Sequence, residues 1–106
     1  MSEKMSAAIL DRLMADIAEK AQSDPSESYT ASLIAAAPDK PLRKLSEEVT
    51  EALIEAMRGD SAALARESAD ILYHLLVVWQ AAGVKADDVW QILAERRGVS
   101  GLVEKA

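Results

Sequence analysis

Two acidic pairs flank Gly59: Glu48-Val49-Thr50-Glu51, with Glu47 directly ahead, and Glu67-Ser68-Ala69-Asp70. Each pair has i, i+3 spacing, so on a helix its two carboxylates share one face, one turn apart. Gly59-Asp60-Ser61 reads as a helix stop followed by a new N-cap, which makes an αα-hairpin. Glu51 and Glu67 each lie eight residues from Gly59, and Glu48 and Asp70 each lie eleven. At the helical rise, these antiparallel partners sit level, roughly 12 and 16 Å from the turn. The carboxylates can then form two facing rungs of oxygen ligands. Like charges at helical spacing cost about a few tenths of a kcal/mol per exposed pair, and more when partly buried. Stability gains nothing from that arrangement, so the spacing predicts a cation at its centre. Hard oxygen donors in a chain without Cys suit Mg²⁺, or Mn²⁺ as a substitute. The competing reading is two solvated acidic faces that happen to align, since Glu is a common helix residue.

The elements that must carry these groups read as helices. Residues 5–22 are amphipathic, with Met5, Ile9, Leu13, Ile17 and Ala21 about one turn apart, and should lie against the hairpin. Ser23-Asp24-Pro25-Ser26-Glu27-Ser28 is loop chemistry. Tyr29 to Ile34 then reads as a short helical turn, capped by Ser28 and ended by Pro38-Asp39. Pro41 suits the first turn of the next helix, with Asp39 or Lys40 at its cap. Its buried stripe is read as Leu42, Leu45, Val49, Leu53 and Ala56, through to Met57. Lys40, Arg43 and Lys44 stand where cations oppose the helix macrodipole. Either they meet phosphate oxygens beside the metal site, or they are solvated charges countering Glu47 and Glu48.

The stretch from about Ser61 to Ala82 is apolar nearly all round: Ile71, Leu72, Leu75, Leu76, Val77, Val78 and Trp79 leave almost no polar side. Such a helix needs cover on every face, more than a monomer of this length supplies, which predicts a homodimer. His74, the only histidine, lies four residues after Asp70. It reads first as a satisfied core residue and second as a partner of the Asp70 carboxylate or a general acid/base. Gly83 stops this helix, and Ala86-Asp87-Asp88 starts another that runs to Arg97, with Trp90 in the core or at the dimer interface.

Composition narrows the class. A chain of 106 residues fits one domain, residues 1–106. Half of it is hydrophobic, with Ala prominent and no Phe, which favours close-packed helices. The expected fold is all-α: a helical bundle built around the hairpin and completed by homodimerisation. Net charge is −6, which disfavours nucleic-acid binding but allows a small anionic nucleotide once cations neutralise it. There is no glycine-rich phosphate loop, so metal and basic side chains must handle phosphate. No run approaches the roughly 18 apolar residues of a membrane span, and no leader is evident at the start, so the expected location is cytoplasmic.

The string E-E-x-x-E followed by E-x-x-D resembles the metal signature of the all-α nucleoside triphosphate pyrophosphohydrolases, the MazG-like superfamily. Glu67-Ser-Ala-Asp70-Ile-Leu-Tyr73-His74, with Ser28-Tyr29-Thr30-Ala31 upstream and Arg97 to Lys105 downstream, resembles the phosphoribosyl-ATP pyrophosphohydrolases of histidine biosynthesis. The likeness covers about residues 8–106. One departure is Ser46, where the family pattern usually has Gly. The resemblance implies hydrolysis of the α–β phosphoanhydride of phosphoribosyl-ATP. It also implies substrate-binding roles for Tyr29 and Thr30, and for Arg97, Ser100 and Lys105 in the tail. Mg²⁺ held by Glu48, Glu51, Glu67 and Asp70 would engage the triphosphate and acidify a water. Glu47 or Glu51 would take the water's proton. Lys44, with Lys40, Arg43 or Arg97, would offset charge on the leaving pyrophosphate. Two alternatives stand beside this: a housecleaning nucleoside triphosphate pyrophosphohydrolase, and a non-catalytic helical dimerisation module.

Overall fold

Five helices follow one another in the computed structural model, which describes residues 5–98: α1 (Ile9–Lys20), α2 (Tyr29–Ala35), α3 (Asp39–Arg58), α4 (Ser61–Ala82) and α5 (Ala86–Arg96). All regular structure among the described residues is helical, as expected from composition. Helices α3 and α4 form the most extensive pairing, and α1 and α2 pack on α4.

The hairpin turn is built as its residues require. Gly59 sits at φ 75°, in the left-handed region that glycine occupies without steric cost. Its N–H bonds the Ala56 carbonyl and the Asp60 N–H bonds the Glu55 carbonyl, so the last turn of α3 closes on itself. Asp60 then begins α4, its carboxylate accepting the Ala63 N–H at 3.0 Å. Gly83 ends α4 in the same manner, at φ 76°. Ser28 caps α2 by accepting the Ala31 N–H at 3.2 Å.

The apolar core lies at the C-terminal half of α4. Leu76 and Val77 are buried there against Ile17 of α1 and Leu33 of α2, with Leu10, Leu13, Met14, Ile34, Tyr73 and Trp79 packed around them. Each of these fully buried aliphatic side chains contributes roughly 1.5–3 kcal/mol. Helix α5 buries no residue of its own. It is docked by Trp90, whose ring meets Trp79 edge-on at 5.8 Å and whose Nε1–H donates to Asp11 of α1 at 3.1 Å.

Several expectations are corrected. Helix α1 spans less than residues 5–22, and its inward stripe is Leu10, Leu13, Met14 and Ile17, leaving Met5 and Ile9 exposed. Helix α3 starts earlier than expected, with Pro38 at its N-cap, Asp39 already in the first turn and no side-chain cap. The largest correction concerns the phase of α3. Leu42, Val49, Leu53 and Met57 face outward within this chain, Leu53 at 62% and Met57 at 90% exposure. The face turned inward carries Pro41, Glu48 and Ala52, together with Leu45, the one member of the expected stripe that is half-buried there. Helix α4 holds the core yet leaves Leu72 exposed, and α5 stops at Arg96, one residue short of Arg97.

Candidate active site

Pro41 and Ala52 of α3 and Ala63 of α4 are buried in or beside the hairpin seam. The small alanines let the two helices approach closely, and the acidic residues between them are drawn together as a result. Oxygens of Glu48, Glu67 and Asp70 lie within 4.8 Å of one another. Glu48 and Glu67 are half-buried and Asp70 is exposed, so the cluster opens to solvent on the Asp70 side.

The electrostatics reflect this crowding. The facing Glu67 carboxylate pushes the Glu51 carboxyl above the ordinary carboxylate range. Burial, then Glu48, pushes Glu67 up in turn. Glu67 Oε2 is buried with no hydrogen-bond partner among the described residues. Its acidic neighbours, when ionised, can only accept. A proton or a cation is what satisfies such an atom, and a hard divalent cation matches an all-carboxylate donor set. The residues present fit a Mg²⁺-type ion.

The remaining predicted residues divide into groups. Glu51 adjoins Glu67 and lines a small cleft of about 140 Å³ with Ile54, Glu55, Arg58 and Glu67. Glu47 lies outside the group of three and pairs with Lys44 at 3.4 Å. Arg43 pairs with Asp39 at 3.3 Å, and Lys40 is half-buried at the start of α3. The Lys44 pair is the one the solvated-charge reading of the α3 cations expects, whereas Arg43 answers Asp39 and neither Glu47 nor Glu48. Arg97 follows α5 as an exposed, extended residue. Ser100 and Lys105 lie outside the described residues.

Tyr29 and Thr30 meet α4 one turn beyond the acids. Thr30 is buried and its hydroxyl bonds that of Tyr73. Tyr29 is half exposed, with its hydroxyl 3.4 Å from Nε2 of His74. His74 itself is buried, and its Nδ1 lies 2.8 Å from the backbone carbonyl of Asp70, not from that residue's carboxylate. Burial pushes the Tyr73 hydroxyl up. From sequence, Glu55 has no place and Tyr73 none beyond the string that carries the resemblance, although each has a signal. Glu55 follows Glu48 by seven residues and Tyr73 follows Asp70 by three, spacings that keep each pair on one helix face.

Comparison with known proteins bears on this geometry. The sequence model of the family described as Phosphoribosyl-ATP pyrophosphohydrolase matches residues 10–97, a span containing every carboxylate discussed above. A phosphoribosyl-ATP pyrophosphatase of Azospirillum brasilense is 50% identical over 103 residues, covering 97% of this chain and 93% of that protein. One of Cereibacter sphaeroides is 48% identical over 92% of this chain and 95% of its own length. One of Methylobacterium nodulans is 50% identical over 92% of this chain and 88% of its own. With its acid-lined helical hairpin and this breadth of likeness, the chain belongs to the phosphoribosyl-ATP pyrophosphohydrolase family.

Proposed function

We propose that this chain hydrolyses the α–β phosphoanhydride of phosphoribosyl-ATP, giving phosphoribosyl-AMP and pyrophosphate, the second step of histidine biosynthesis. The observation that carries the reading is the meeting of Glu48, Glu67 and Asp70 oxygens within 4.8 Å, in a chain matching the family over residues 10–97. Glu48, Glu67 and Asp70, with Glu51 alongside, would hold Mg²⁺. When bound, that cation neutralises triphosphate oxygens and makes a water more acidic.

The chain's own residues supply the rest. Glu51, beside Glu67 but outside the group of three carboxylates, is the better placed base, because Glu47 is engaged by Lys44. Glu51 accepts the proton of the attacking water as the new P–O bond forms and the α–β bridging bond breaks. Lys44, Lys40, Arg43 and Arg97 offset charge on the departing pyrophosphate. Tyr29 and Thr30 contact the substrate beyond the triphosphate. Ser100 and Lys105 are assigned a share in this recognition by family resemblance.

The whole chain acts as one domain in this reading, in the cytoplasm, as a homodimer. A second subunit would cover Val49, Leu53 and Met57, apolar side chains that α3 presents outward. Among the described residues, no helix is long and apolar enough to cross a membrane.

The test is purified protein with phosphoribosyl-ATP and Mg²⁺, products separated by chromatography. Phosphoribosyl-AMP and pyrophosphate in equal amounts are expected. Pyrophosphate from ordinary nucleoside triphosphates, and none from phosphoribosyl-ATP, would replace this reading with the housecleaning one.

A further inference from the structure

His74 has both ring nitrogens committed in a buried setting. A carbonyl oxygen only accepts, so Nδ1 carries hydrogen and donates to Asp70. In the neutral ring, Nε2 then presents its lone pair to the Tyr29 hydroxyl, which donates. The imidazole also meets the rings of Tyr29 and Tyr73 edge-on, at 6.2 and 5.0 Å. One side chain thus ties the helical turn that carries Asp70 to the first residue of α2.

Tyr29 forms a wall of a cleft of about 500 Å³, lined also by Lys20, Ser23, Glu27, Ser28, Thr30 and Tyr73. Tyr73 stands three residues beyond Asp70, roughly 5 Å along α4. The cleft therefore begins about one helical turn from the acid cluster. Its chemistry differs from that of the cluster: hydroxyls, one ammonium and one carboxylate. The serine hydroxyls and the lysine suit a phosphate monoester, and a carboxylate accepts from sugar hydroxyls.

We infer that His74 is a positioning residue for substrate recognition: it holds Tyr29 so that this cleft receives the sugar-bearing end of the substrate, remote from the leaving pyrophosphate. The inference rests on the function proposed above and adds a division of labour to it. The acid cluster serves the triphosphate, and the His74–Tyr29 pair serves the phosphorylated ribose.

The experiment compares His74→Asn, Tyr29→Phe and the double variant by steady-state kinetics on phosphoribosyl-ATP. Asn keeps a donor near the Asp70 carbonyl but does not reach Tyr29. Each single variant should raise KM about three- to tenfold, the worth of one neutral hydrogen bond, with kcat within about twofold of wild type. The double variant should be no worse than the worse single one, because both changes remove one interaction. Product inhibition by phosphoribosyl-AMP should weaken by the same factor, while inhibition by pyrophosphate and the Mg²⁺ concentration for half-maximal rate stay fixed. His74→Gln, long enough to reach Tyr29, should recover part of the loss.

Equal weakening of pyrophosphate and phosphoribosyl-AMP inhibition, additive single effects, or a fall in kcat at unchanged KM would overturn the inference. If His74→Asn does not fold, Tyr29→Phe on its half-exposed side chain decides alone, and an unchanged KM overturns the inference. A wild-type protein inert toward phosphoribosyl-ATP would instead sink the functional reading on which the inference stands.

Discussion

Helix α4 is two helices in its physical chemistry. Its N-terminal half meets α3 across alanines and carries Glu67 and Asp70 into a seam of like charge. Its C-terminal half meets α1 and α2 with Leu76 and Val77 in the driest part of the molecule. The first half crowds like charge, since Glu67 keeps an oxygen buried without a partner and raises the carboxyl of Glu51. The second half anchors α4 to α1 and α2. Both lie on one helix, so the acid-bearing half of α4 is held in place by a core that the acids do not enter.

Substitutions at the acid seam and in the core should therefore have opposite signatures. The largest effect is on turnover: Glu51→Gln should lower kcat by about 10²–10⁴-fold, the range for removing a general base, and Glu67→Gln should lose most activity as well. Circular dichroism should show both variants folded, with a metal-free Tm equal to wild type or higher. A metal-free Tm well below wild type in both would break the contrast. Leu76→Ala should do the reverse. It costs about 2–5 kcal/mol and lowers Tm by more than about 8 °C, while the rate per folded molecule at low temperature stays near wild type.

Ligand linkage sharpens the comparison. At a Mg²⁺ concentration ten times Kd, the folded state gains about 1.4 kcal/mol, seen as a Tm rise of several degrees. Glu67→Gln should remove the rise and Leu76→Ala should keep it. The pH response is smaller and has a definite sign. Glu51 and Glu67 have folded-state pKa values above their unfolded ones. Their contribution is fully present below the unfolded carboxylate pKa and is lost as pH rises through the raised folded values. Metal-free protein should lose stability relative to Glu51→Gln as pH rises above the ordinary carboxylate range, in matched thermal melts. Smallest of all, Trp90→Phe removes the bond to Asp11 and should cost about 1 kcal/mol, with kcat unchanged in the same assay.

Much of this architecture was legible in the chain. Gly59 and Asp60 marked the hairpin, Ser28 the start of α2, and equal spacing from Gly59 the facing acids. The phase of α3 was misread for a physical reason. At about 100° per residue, Val49 and Leu53 lie roughly 100° and 140° round the helix from Glu48, so the acids and the apolar stripe cannot both face α4. Hydrophobic periodicity favoured the stripe, and the structure turns the acids inward. The stripe then becomes the surface for which a second subunit is proposed. The tie from His74 to Tyr29 joins residues 45 apart in sequence, and no local pattern signals it.

Mn²⁺ binding followed by electron paramagnetic resonance addresses the acid seam without depending on any substrate. The account predicts saturable binding to wild type, competed by Mg²⁺, unchanged in Leu76→Ala, and weakened at least about tenfold by Glu67→Gln. Equal affinity in wild type and Glu67→Gln would contradict it.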